Sequence, residues 1–284
     1  MPSDDQAVSG VVLTFFSTAS AVGKTLLSCN MASELARQGA TVVLCDLDLQ
    51  FGDICNYLHL SPDQTIADAQ ESMKRMGSSF DIRECLTPYM YEDTVFQVLA
   101  APHGLDEAYN IETDSVKKII NELRMIYNYV IIDTTSMFSN VNMMLLDLST
   151  IVTFLGVVDF IPTIKNMKIG STLLSQLNYK DKVRLVLNRS NAKTRIGMDD
   201  VEKLLGQEFY HILPNDFKSA TRSIQDGVPL VLADRRTELS RALRDLVSRY
   251  TNRPYYDDDD EEGYEGDVPA HEHKKSWLGK LFSK

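Results

Sequence analysis

The sequence predicts an α/β fold, a mostly parallel twisted sheet with helices on both faces, and three observations predict it. Short, solidly apolar runs recur along the chain; stretches with apolar groups at helical spacing lie between them; and small or acidic residues gather just after the runs. Alternation on this scale builds right-handed βαβ units whose strands are covered on both faces. Ligands of such sheets sit at the carboxyl ends of the strands, so the residues following each strand carry the functional expectation.

In chain order, Val11–Phe16 is the first strand and ends in a loop of small residues. Residues 25–38 place Leu26, Leu27, Met31 and Leu35 at helical spacing and stop at Gly39, a suitable C-cap. Residues 41–45 (TVVLC) form the second strand, and 95–100 and 129–132 two more, with a helix over 115–126 between them. Residues 151–158 and Val183–Leu187 are further strands separated by a helix over 163–177. Residues 201–205 and 238–250 also read as helices.

Composition excludes several classes. At 44% apolar and 24% charged residues in 284, the chain is an ordinary globular protein rather than a disordered one. A net charge of −11 argues against a nucleic-acid partner, because neutralising phosphates requires a basic face. Cys29, Cys45, Cys55 and Cys85 contain no CxxC pair and read as thiols of a reducing compartment rather than a metal site. MPSDDQAVSG lacks the features of a secretory signal, and no run of about 18 apolar residues could span a bilayer. A cytoplasmic location is expected.

The loop after the first strand, Ser17 to Thr25, ends in Gly23-Lys24-Thr25 and opens a helix. A P-loop needs inward-pointing amides, a lysine for the β/γ-phosphates and a hydroxyl for magnesium, and the helix N-terminus favours the anion. GxxxxGK[ST] is not fully met, since Thr18 stands where the first glycine belongs. A GKT triplet alone is weak; a strand before it and a helix after it give it meaning. The second strand ends in Asp46-Leu47-Asp48, and YVII delivers Asp133 to the same edge. Each acid could simply cap the following helix. Two acids beside one P-loop favour a magnesium role for Asp133, as a Walker B acid, while capping stays plausible for Asp46.

The run CDLDLQFGDICNYLHLSPDQTIAD closely resembles the segment after the second strand in the CpaE/TadZ pilus-assembly proteins of the MinD/ParA class. VLAAPHGLDEAYNIETDSV, YNYVIIDTTS, VRLVLNRSN, and ILPNDF followed by IQDGVPLVLADRRTELSRALRDL agree in the same order, from Val11 to Arg249. The resemblance implies a MinD-like P-loop NTPase fold, bound ATP and Mg²⁺, an ATP-dependent homodimer, and work as a positioning factor for pilus or secretion machinery. It makes the loop residues Ala21, Val22, Gly23, Lys24, Thr25 and Leu26 the phosphate site. It makes Thr25, Asp48 and Asp133 the magnesium residues, with Lys24 and Asp48 serving catalysis and Asp48 near the attacking water. Asn188 with Arg189, and Pro214, Asn215 and Asp216, become the adenine walls. An amide such as Asn188 can both donate to and accept from an adenine edge, whereas Pro-Asn-Asp is also plain turn chemistry.

One departure bears on catalysis. The MinD/ParA class carries KGG before xGKT, its lysine reaching the partner's nucleotide; Ala19-Ser20-Ala21 stand there instead. The missing cation and glycines imply at most a slow ATPase, unless an arginine from elsewhere fills the place. P-loop bacterial tyrosine kinases also lack that lysine and end in tyrosines, here Tyr250, Tyr255, Tyr256 and Tyr264, but Gln50 stands where they tend to place arginine. A binding module with a vestigial nucleotide site is a third class.

Residues 1–250 thus form the nucleotide-binding domain. Residues 251–273 contain YYDDDDEEGYEGD and read as an acidic linker that cannot bury enough apolar surface to fold. Residues 274–284, KKSWLGKLFSK, place Trp277 and Leu281, and Leu278 and Phe282, four apart beside lysines. A short basic amphipathic segment suits an anionic membrane surface, peripheral to the inner face of the cell membrane, or docking on protein.

Overall fold

The computed structural model describes residues 9–159, 161–191 and 197–253. Its elements in order are β1 Val11–Phe16, α1 Lys24–Arg37, β2 Val42–Leu47, α2 Ile54–Tyr57, α3 Ile66–Met76, β3 Thr87–Tyr91, β4 Thr94–Leu99, α4 Leu105–Tyr109 and α5 Thr113–Ile126. They continue with β5 Tyr129–Thr134, α6 Asn140–Leu148, β6 Ile151–Gly156, α7 Ile161–Gln176, β7 Val183–Leu187, α8 Met198–Leu205, β8 His211–Ile212, α9 Phe217–Asp226, α10 Leu230–Ala233 and α11 Glu238–Thr251. The strands make one sheet in the order β3-β4-β2-β5-β1-β6-β7-β8. Every pairing is parallel except the β3/β4 hairpin.

The pleat sends neighbouring residues to opposite faces, and the core divides accordingly. Leu13, Phe15, Leu44 and Ile131 pack toward α1, α10 and α11. Val12, Val43, Val130 and Ile132 pack toward α3 and α5. Phe16, Val152, Phe154 and Leu185 join α7 and α8 in a third cluster. The sheet is therefore covered on both faces, as the continuous apolar runs require.

Sequence and structure differ mainly at edges. β2 runs two residues past its apolar stretch, so Asp46 lies within the strand, and β5 includes Asp133. β3 escapes the hydrophobic pattern because TPYMY alternates half-buried, exposed and buried positions and contains Pro88, which an outermost strand tolerates. The short β8 and the helices α3 and α9 likewise carry no continuous apolar run, and the four apolar residues Met143 to Leu146 of α6 are too few to separate helix from strand. Thr65 starts α3 with a capping box: its side chain accepts from Ala67 N while the Asp68 carboxylate accepts from Thr65 N. Cys29, Cys45 and Cys85 are buried, Cys55 is half-buried, and all four are free thiols. Thr251, expected in the acidic linker, is instead the last residue of α11, while the linker beyond Arg253 and the terminal segment with Trp277, Leu278, Leu281 and Phe282 lie outside the described residues. Among the described residues no helix is long and apolar enough to cross a membrane.

Candidate functional site

A cleft of about 820 Å³ opens at the carboxyl ends of the central strands. The loop from β1, the segments after β2 and β5, and the segments after β7 and β8 all line it. Parallel strands place these loops on one edge, so residues more than 100 positions apart converge there.

At the loop's end Gly23 adopts φ 100°, a left-handed conformation that costs a glycine little. A Cβ on Gly23 would also stand 2.7 Å from Asn188 Nδ2, so no larger residue fits without displacing that side chain. Lys24 and Thr25 begin α1 immediately afterwards. Thr25 Oγ1 donates to Asp133 Oδ2 at 2.6 Å, and Lys24 Nζ donates to Ser136 Oγ at 3.1 Å. Asp133 Oδ1 is buried with no hydrogen-bond partner among the described residues.

The acids sit in an unfavourable setting for charge. Burial, only partly offset by the Thr25 hydroxyl and the Lys24 ammonium, pushes the Asp133 carboxyl up to about 7. Asp46 pairs with Asp133 in the β2/β5 register, and burial followed by that neighbouring charge pushes it well above the usual carboxylate range. Its oxygens accept from Asp48 N at 3.3 Å and Ile54 N at 3.0 Å, so it shapes the turn into α2. Asp48 lines the cleft, accepts from Phe51 N at 3.3 Å, and is raised by burial. Burial lowers Lys24, although Asp133 and Asp48 both oppose that shift.

These residues fit a magnesium nucleotide. The free Oδ1 of Asp133 is a buried acceptor lacking a donor or cation, beside the Thr25 hydroxyl and below a loop whose lysine faces the cleft. Among the described residues no three His, Cys, Asp or Glu side chains cluster to hold a metal. Magnesium here would therefore share its coordination with phosphate oxygens, as this ion usually does.

Other expected site residues behave differently from one another. Ala21, Gly23, Lys24, Thr25, Leu26, Asp48, Asn188, Arg189, Pro214, Asn215 and Asp216 all line the cleft. Val22 does not: its side chain is buried in the core, so its backbone is all it can offer a ligand. Asn188 makes two bonds within the chain and keeps one amide proton and one oxygen lone pair beyond them. Its Nδ2 donates to Val22 O at 2.9 Å and its Oδ1 accepts from Arg189 N at 2.9 Å, so the amide ties the phosphate loop to β7. Arg189, itself at φ 56°, donates from Nη2 to Ala21 O at 3.1 Å. Asp216 caps α9 by accepting from Ser219 N, the turn role its sequence allowed.

Two serines carry contacts that sequence reasoning did not assign to them. Ser17 Oγ and Ser136 Oγ both donate to Ala19 O, at 2.7 and 2.8 Å, and lie 3.0 Å apart. Nothing local marks Ser136, whose partners are more than 100 residues away. Tyr250 is buried in α11 with its hydroxyl 2.8 Å from Thr153 Oγ1, so it is a core residue rather than part of a tail cluster. Tyr255, Tyr256 and Tyr264 lie outside the described residues.

With this geometry in view, comparison with known proteins is decisive for the family. Residues 13–230 match the family described as the CobQ/CobB/MinD/ParA nucleotide binding domain. The chain belongs to this family. Among solved structures, a ParA family ATPase from Chlorobium tepidum is similar with a TM-score of 0.76 at 20% identity, covering 84% of this chain and 98% of that one. MinD of Pyrococcus horikoshii complexed with Mg-ADP is similar with a TM-score of 0.71 at 15% identity, covering 85% and 96%. An uncharacterised ATP-binding protein of Methanocaldococcus jannaschii is 24% identical over 212 residues, 71% of this chain and 74% of that protein. The MinD/ParA architecture expected from the sequence is thus the one the chain has.

Proposed function

We propose that this MinD/ParA-type protein is an ATP-binding positioning factor of the CpaE/TadZ kind, with slow or absent hydrolysis. One observation carries the reading: Lys24 and Thr25 line the cleft with the buried Asp133 bonded to Thr25 behind them, while position 19, where the class has its cross-dimer lysine, is alanine. Lys24 would hold the terminal phosphates, and Thr25 with Asp133 would hold magnesium, with Asp48 nearby. The metal would supply charge neutralisation for the phosphates. Arg189 engages the backbone of Ala21 and so positions the loop; a second cation for the phosphoryl group would have to come from a partner.

Phe51, Met137 and Phe217, at 72%, 67% and 73% exposure, line the cleft. Large apolar side chains around a polar cleft suit burial against a second copy, and in this reading the homodimer closes over the nucleotide. Dimerisation would pair two terminal segments, each too short for firm membrane attachment alone, and so place bound pilus or secretion machinery at the inner face of the membrane.

The test uses sedimentation with anionic liposomes in the nucleotide-free, ADP and ATP states, alongside light scattering for the dimer. Dimer and liposome binding that rise together with Mg-ATP, and fail in Lys24→Ala, support the reading. Equal liposome binding in all states would refute it, and rapid phosphate release lost in Lys24→Ala would refute its slow-hydrolysis half.

A further inference from the structure

We propose that Ser136 reads the γ-phosphate of the bound nucleotide, acting as a neutral donor beside the site left by the missing lysine. The inference rests on the ATP-binding reading above and deepens it.

Ser17 Oγ, Ser136 Oγ and Ala19 O make a triangle with sides of 2.7, 2.8 and 3.0 Å. A hydroxyl has one proton, so two protons serve three contacts, and the Ala19 carbonyl has two candidate donors. Either serine can leave Ala19 O without orphaning it. Ser17 is fully buried just after β1, and the acceptors it reaches are Ala19 O and Ser136 Oγ, so it stays within the triangle. Ser136 lines the cleft and is the donor free to reorient.

Besides the triangle, Lys24 holds Ser136 in place without nucleotide, its Nζ donating to Ser136 Oγ. A phosphate is a far stronger partner for an ammonium than a serine hydroxyl, so a bound polyphosphate draws Lys24 away. Ser136 then keeps its proton, loses its cationic donor, and faces the space where the terminal phosphate oxygens gather. Ala19, which Ser136 releases, occupies the position of the class's cross-dimer cation. A hydroxyl donating to a phosphate oxygen thus takes up part of that role from within the same chain.

The move has a route to the surface. Asn142 Nδ2 donates to Thr135 Oγ1 at 2.7 Å and to Met137 O at 2.6 Å, holding the flanks of Ser136 to α6. Met137 itself is exposed at the cleft. Reorienting Ser136 therefore acts between two fixed points and next to an apolar side chain of the proposed dimer surface.

The experiment is titration calorimetry on the full chain with Mg-ADP and a magnesium complex of a non-hydrolysable ATP analogue. Ser136→Ala is expected to lower affinity for the triphosphate about tenfold, the scale of one hydrogen bond to a charged group, and to leave Mg-ADP affinity unchanged. Ser136→Thr should restore the preference. Ser17→Ala, which removes the donor meant to stay on Ala19, should weaken both nucleotides alike. Equal loss for both nucleotides in Ser136→Ala would make the residue a loop support only and overturn the proposal, as would no loss for either. Should that variant not fold, Ser136→Cys keeps the size with a much weaker donor and answers the same question. Wild-type protein that binds neither nucleotide would instead remove the ATP-binding reading itself.

Discussion

Thr25 Oγ1 donates to Asp133 Oδ2 across 2.6 Å, while the other oxygen of that carboxylate is buried without a partner. Half of the acid is thus held in position, and half is left as an unsatisfied acceptor, which costs free energy in the free protein. A magnesium ion beside Thr25 would relieve that cost.

Magnesium should therefore strengthen nucleotide binding through these two side chains. Wild-type protein is expected to bind ADP at least about tenfold more tightly with magnesium than with excess EDTA, the lower end of what metal-site partners contribute. Thr25→Ala and Asp133→Asn should bring that ratio close to one while leaving the EDTA value little changed. Calorimetric titration of each variant in both buffers measures it. A preserved ratio in Asp133→Asn would show that the metal is held elsewhere.

Lys24, Thr25 and Asp133 were legible because each is announced locally: a GKT triplet after an apolar strand, and an acid at the end of YVII. The parallel core was legible for the same reason, since strands covered on both faces must be apolar throughout. β3 was not, because an edge strand can carry Pro88 and alternate its exposure, leaving no run to see. Ser136 and the true contacts of Asn188 were out of reach for a different reason. Both depend on which loops the sheet order brings together, β1 with β5 in one case and β1 with β7 in the other, and spacing along the chain does not encode that. Asp46 falls between these cases: its place after an apolar strand was visible, and its capping of the following turn was one of two open roles.

The cysteines give a check on the packing after β2. Burial, followed by the charge of Asp46, pushes the half-buried Cys55 thiol up to about 11. A raised thiol pKa favours the neutral form, so reactivity is suppressed below it and returns as pH rises toward it. At pH 8 about one Cys55 in a thousand would be thiolate. Alkylation by iodoacetamide, followed by mass spectrometry, should modify Cys55 before the buried Cys29, Cys45 and Cys85. Its rate should grow about tenfold per pH unit between 7 and 10. A plateau near pH 8.5 would show an ordinary exposed thiol and a loosely packed α2.

Asn188 decides between two roles that its position at the cleft would otherwise leave open. As an adenine reader, its loss would weaken ATP and spare ligands without a base. Its observed bonds predict the opposite. Removing the amide in Asn188→Ala strips the buried Val22 carbonyl of its donor and Arg189 N of its acceptor, at a cost of about 1–3 kcal/mol in stability. The loop then loses its tie to β7, and every ligand that depends on loop shape should suffer together. ATP, GTP and inorganic tripolyphosphate are expected to lose affinity by the same factor, with a lowered melting temperature. Competition binding with the three ligands measures the pattern. Selective loss of ATP with tripolyphosphate unaffected would return Asn188 to the base, read through its second amide proton and remaining oxygen lone pair.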